Sequence, residues 1–176
     1  MTVHVEAKVV RGATARGLVY IHSCPRAVTP HVEWSLARVF GQSVAVDWAE
    51  QPIAPPAVRA EIIWSGPAGT GARLASALLA FPQARFEITE DGAEGRTGER
   101  FAATPALGLF RGDIGAHGDV MVCEDRLRTA IMQAADADEV LRDEIARLIG
   151  SPWDDELEPF RCAQEGSTVR VLHDVV

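Results

Sequence analysis

Lysine is almost absent from this chain. Lys8 is the only one among 17 basic residues, so the positive charge is carried by arginine. Tyrosine occurs once, and aromatic residues reach only 6%. Three cysteines, Cys24, Cys123 and Cys162, stand far apart, with no Cys-x-x-Cys pair among them. An odd, scattered set excludes a disulfide framework and a four-cysteine zinc site, and fits a reducing compartment. No apolar run approaches the roughly 20 residues needed to cross a membrane. The opening MTVHVEAKVV lacks the apolar stretch of a secretory signal. The expected location is the cytoplasm.

What is present fits a globular protein. The chain has 176 residues, 47% apolar and 24% charged, enough for one buried core with a helical appendage. The net charge of −8 is unevenly placed: residues 119–165 hold 13 acidic and 5 basic side chains, and the rest hold 12 of each. An acidic C-terminal third repels phosphates and anionic lipid, which argues against nucleic acid and membranes as partners.

Periodicity places the elements. Residues 1–16 read as an arm or an extra strand. GLVYIH, from Gly17 to His22, reads as a buried strand. Thr29 and Pro30 open a helix as cap and first helical residue, Val32, Leu36, Val39 and Phe40 form its stripe, and Gly41 ends it. Val44, Val46 and Trp48 alternate as in a strand, as do Ala60, Ile62 and Trp64 within Val58–Ser65. Thr70 caps a second helix bearing Leu74, Leu78, Leu79 and Phe81, and Phe86 and Ile88 point inward from a fourth strand. Strand, helix, strand, strand, helix, strand is the split βαβ order. The expected fold is therefore α+β, with a ferredoxin-like βαββαβ core over residues 17–91. Residues 92–176 are expected to add a hairpin, broken at Pro105, and an acidic, mainly helical region packed on that core. Thr168 to Leu172 reads as a last strand.

Few residues offer chemistry. Gly66 to Arg73 resembles a phosphate-binding loop, but Ala72 and Arg73 stand where lysine and serine or threonine are required. A tight turn is the simpler reading. Arg73 opposes the helix dipole there, so it either pairs with Glu87 or Glu90, or meets an anionic ligand at Gly69, Thr70 and Gly71. His22, Cys24 and His31 surround one turn and are the best candidate metal ligands, against the plainer reading of packed side chains. No serine nucleophile motif occurs. Asp154, Asp155, Glu156 and Glu158 read as helix-end acids rather than an acid–base pair. The outward sheet positions Arg59, Glu61, Ile63, Arg85, Glu87 and Thr89 lack stacking aromatics, and are expected to be ion-paired or covered by the segment after residue 95. On the first helix, Trp34 lies opposite the core stripe, with His31 and Arg38 on its side. Such a tryptophan needs cover. The C-terminal helices are the expected source, and another protein is the alternative.

Several stretches resemble an actinobacterial family, domain-of-unknown-function family 3145. They are Val19-Tyr20-Ile21-His22, Pro30-His31-Val32-Glu33-Trp34, Trp64 with Gly66-Pro67, Gly69-Thr70-Gly71-Ala72-Arg73-Leu74, Arg85-Phe86-Glu87, Thr104-Pro105, Leu107-Gly108-Leu109, Gly118-Asp119-Val120-Met121-Val122, Trp153-Asp154 and Leu157-Glu158-Pro159. The resemblance runs from about residue 17 to the C-terminus. It implies no catalytic residue. It does imply a genomic setting near fatty-acid synthesis genes.

Three readings follow. The first is a non-catalytic accessory or regulatory protein that binds a larger cytoplasmic enzyme, such as an acyl-CoA carboxylase, through His31, Trp34 and Arg38. The second is a small-molecule sensor holding an anionic ligand at the Gly66–Arg73 turn. The third is a metal-dependent enzyme built on His22, Cys24 and His31. The first is the expectation, and no cofactor is called for.

Overall fold

The computed structural model describes residues 2–7, 14–92, 96–134 and 138–163. Strands β1 (Val3–Glu6), β2 (Thr14–Cys24), β3 (Ala49–Glu50), β4 (Val58–Pro67), β5 (Arg85–Glu90), β6 (Gly98–Thr104), β7 (Gly108–Ile114) and β8 (Val120–Met121) form one sheet. Its order is β1-β4-β2-β5-β6-β7-β8, with β3 on β4. Every pairing is antiparallel except β1 with β4. Helices α1 (Thr29–Phe40), α2 (Thr70–Leu78), α3 (Glu124–Ala134), α4 (Asp138–Ile149) and α5 (Ser151–Cys162) complete a mixed α+β protein.

Strand alternation divides the sheet into two chemistries. Val19 and Ile21 of β2, Ile62 and Trp64 of β4, Phe86 and Ile88 of β5, and Phe101 of β6 join one core with Val32, Leu36 and Phe40 of α1 and Leu74 and Leu78 of α2. Gly17 sits where a side chain has no room: a Cβ there would lie 1.8 Å from the Thr89 carbonyl oxygen and 2.7 Å from the Trp64 ring. The other face carries Tyr20, His22, Glu87 and Arg100 and is covered by α5. Leu157 packs there on Ala102 and Phe110, beside Trp153.

The expected ferredoxin-like arrangement is not what forms. Residues 43–48 do not enter the sheet. Their alternation is satisfied by α1 instead: the Val46 amide and the Trp48 indole N–H donate to the Glu33 carboxylate at 3.3 and 2.9 Å. With that strand missing, β2 and β4 are neighbours but antiparallel, and the sheet extends through the hairpin β6–β7. The N-terminal segment supplies a strand, β1, parallel to β4. Two expected caps also differ. Thr29 donates to the Arg26 carbonyl rather than capping α1. Gly69, at φ +86°, precedes α2 in the capping position assigned to Thr70. The strand expected at Thr168–Leu172 lies outside the described residues.

Candidate functional site

Helix α1 is amphipathic because Val32, Leu36 and Phe40 recur at helical spacing and vanish under the sheet. That rotation turns Trp34 outward, where 68% of it meets solvent. Among the described residues the expected cover by C-terminal helices is not found, and α5 lies on the opposite face of the sheet. His31 and Arg38 are exposed on the same side of α1. Beside them runs an open groove of about 460 Å³, lined by Pro30, His31, Glu33, Trp34, Ala37, Ser43 and Val44. Its far wall is tied to α1 through Glu33, which holds Val46 and Trp48. The Trp34 indole and the His31 imidazole line this shallow groove, and the Arg38 guanidinium is exposed further along the same side of α1.

The turn at Gly66–Arg73 is already occupied. The Glu90 carboxylate reaches across from β5 and accepts from the Gly69 and Gly71 amides, both at 2.7 Å. It is an internal anion at the start of α2, 4% exposed. Thr70 donates to the Pro67 carbonyl at 2.6 Å. Arg73 pairs with neither expected glutamate and donates to the Val39 carbonyl at 3.1 Å, near the end of α1. An anionic ligand at this turn would have to displace the chain's own carboxylate.

His22, Cys24 and His31 do not converge. Cys24 packs in the main core, and burial pushes its thiol up to about 11. His31 is exposed on α1. Among the described residues, no group of three or more His, Cys, Asp and Glu side chains is placed to hold a metal ion.

His22 instead enters an ionic network on the outward face, where ion pairing was expected for Glu87 but not with these partners. Its Nε2 lies 2.7 Å from Glu87 Oε2. Arg161 of α5 donates to both Glu87 oxygens, at 2.9 and 2.6 Å. Arg100 of β6 donates to Glu87 at 2.7 Å and to Asp154 at 2.5 Å, and Arg161 closes the ring to Asp154 at 2.8 Å. Nearby, Thr104 donates to Glu156 at 2.7 Å, and Arg85 lies 3.4 Å from Glu156 and over the Phe160 ring. Two carboxylates and two guanidiniums balance at the centre. Burial works to raise the Glu87 pKa, but the His22 hydrogen bond and the Arg161 contact outweigh it and hold the carboxyl well below its usual range. Burial, the largest influence on His22, lowers its pKa against the pull of Glu87, so the ring is neutral. The network holds α5 to the sheet. Its signals in the sequence were the outward Arg85 and Glu87 and the seven-residue spacing of Asp154 and Arg161, which puts both on one side of α5.

The described residues thus present two polar features, the exposed groove beside α1 and the ionic network under α5, on one mostly antiparallel sheet. The family described as "Protein of unknown function (DUF3145)" matches residues 18–174, and the chain belongs to it. No curated protein and no solved structure matches the chain.

Proposed function

We propose that this chain is a non-catalytic accessory or regulatory protein that docks on a larger protein through α1. The observation that carries this reading is Trp34, 68% exposed beside a preformed groove. Leaving an indole in water forfeits the burial that makes tryptophan a frequent interface anchor. His31 and Arg38 flank it and supply polar contacts at the rim. The acidic C-terminal third adds long-range attraction to a basic partner surface. The family's implied genomic setting favours a cytoplasmic enzyme of fatty-acid or acyl-CoA metabolism, such as an acyl-CoA carboxylase.

The test is recovery of the tagged chain from gently lysed native cells at low salt, with partners identified by mass spectrometry. A near-stoichiometric enzyme that disappears with Trp34→Ala supports the reading. That variant is expected to weaken binding by at least about 2 kcal/mol, some thirtyfold. A chain that comes out alone contradicts it. The sensor alternative has weaker support, because Glu90 fills the turn it needs. A thermal shift on adding acyl-CoA metabolites would revive it.

A further inference from the structure

The two apolar clusters differ greatly in size. Among the described residues the main one runs from Val5 to Ala103, and no member lies further along the chain. The second consists of Ala102, Phe110 and Leu157, with Val120 and Trp153 beside it. Leu157 is the one buried residue of α5. The other two C-terminal helices add little: Ala130 and Ala134 are buried on α3, and no residue is buried on α4. Contact passes from α3 to α4, from α4 to α5, and from α5 to β6 and β2. The helical third of the chain is thus attached to the sheet chiefly through α5.

Helix α5 depends on that attachment. It has 12 residues, and Pro159 inside it takes one amide out of the helical ladder. A helix of that length is marginal in water without tertiary packing. Its hold on the sheet is largely ionic: Asp154 and Arg161 meet Glu87 and Arg100, and Glu156 meets Thr104. Such a hold behaves in two ways. Deleting one partner leaves the other buried and alone, which is costly. Lifting the whole helix returns all the charges to water together, and the hydration they regain offsets the pairing they lose. Opening the other face would expose Trp64, Phe86 and Ile88 with no such offset.

We infer that α3, α4 and α5 form a strap that lifts from the sheet as α5 undocks, while the strands, α1 and α2 stay folded. Lifting uncovers the polar face around His22, which is 1% exposed in the closed protein, together with Glu87 and Arg100. The groove beside α1 lies on the other side of the sheet and is unchanged. The strap therefore controls access to a second surface independently of the proposed docking site.

Native-state hydrogen exchange of the full chain, read by mass spectrometry, tests this. The amides of α5 are expected to be at least about a hundredfold less protected than those of β2 and β5. Two substitutions then separate a strap from a single cooperative unit. Ile88→Val loosens the main core, which is intact in both the closed and the lifted forms. It should speed exchange in β2 and β5 about fivefold and leave α5 unchanged. Leu157→Ala weakens the closed form alone. It should speed α5 by more than about tenfold, and the sheet by no more than α5. Equal protection of α5 and the sheet overturns the inference, as does faster exchange of α5 in Ile88→Val. A chain that Leu157→Ala unfolds altogether, seen by circular dichroism, also overturns it, because the body should outlast its strap.

Discussion

The two faces of the central sheet are held by different forces. Under α1 and α2, Val19, Ile21, Ile62, Phe86 and Ile88 are at most 1% exposed and meet apolar partners. Under α5 the apolar contact is small, Leu157 with Ala102 and Phe110, and the rest is the ring of Glu87, Arg100, Asp154 and Arg161. The first face is non-directional and indifferent to pH. The second depends on every charge keeping its partner, because a buried charge that loses one is costly. The helix-backed face builds the fold, and the ionic face holds α5 in one position on it.

The largest effect should come from the apolar face. Phe86→Ala is expected to cost about 4 kcal/mol in urea unfolding, with little change between low and high salt. A cost under about 1 kcal/mol would erase the contrast. Glu87→Gln should cost about 3 kcal/mol, because Arg100 is then left with Asp154, which it shares with Arg161, and Arg161 keeps besides only the exposed Glu158. If it proved neutral, α5 would be held by Leu157 and its neighbours instead.

Acid sharpens the comparison further. The folded Glu87 carboxyl binds its proton less readily than the unfolded one, so its stabilisation is complete above the ordinary value of about 4.3 and is lost as pH falls below it. His22, also lowered, begins to withdraw stability as pH falls below about 6.5, where the unfolded ring takes up a proton. Thermal melting from neutral pH downward should thus show two successive losses. Glu87→Gln should flatten the lower one, and parallel curves for the two proteins would contradict the assignment. The smallest effect belongs to the α1 surface: Trp34→Ala should shift stability by no more than about 0.5 kcal/mol, read in the same urea experiment. A large loss would make Trp34 a structural residue rather than a docking one.

The apolar face was legible in the sequence; on the ionic face the pairing or covering of Arg85 and Glu87 was expected, but the residues that supply it were not. Val32, Leu36 and Phe40 announce α1 by spacing, and Ala60, Ile62 and Trp64 announce β4, since a core-facing stripe repeats with its element. The same rule misread residues 43–48, whose alternation is used against α1 and Glu33 rather than in a ladder. It also cannot say that β6 continues the sheet beside β5, because hairpin pairing depends on register between distant segments. The acids of α5 looked like helix-end charges. Their partners, Arg85, Arg100 and Thr104, lie 52 or more residues earlier, and charge alone does not specify distant pairs. Glu90 at the start of α2 was hidden for the same reason. Trp34 was legible as an outward residue. Its lack of cover was not, because that depended on where α5 packs.

The most direct test of the docking claim places a photoreactive amino acid at Arg38 and, separately, at Arg59, which lies near Tyr20 on the opposite side of the sheet. Irradiation of native cells should give one heavier covalent adduct with another protein from position 38 and none from position 59. No adduct from position 38, or the same adduct from both, would contradict docking through α1.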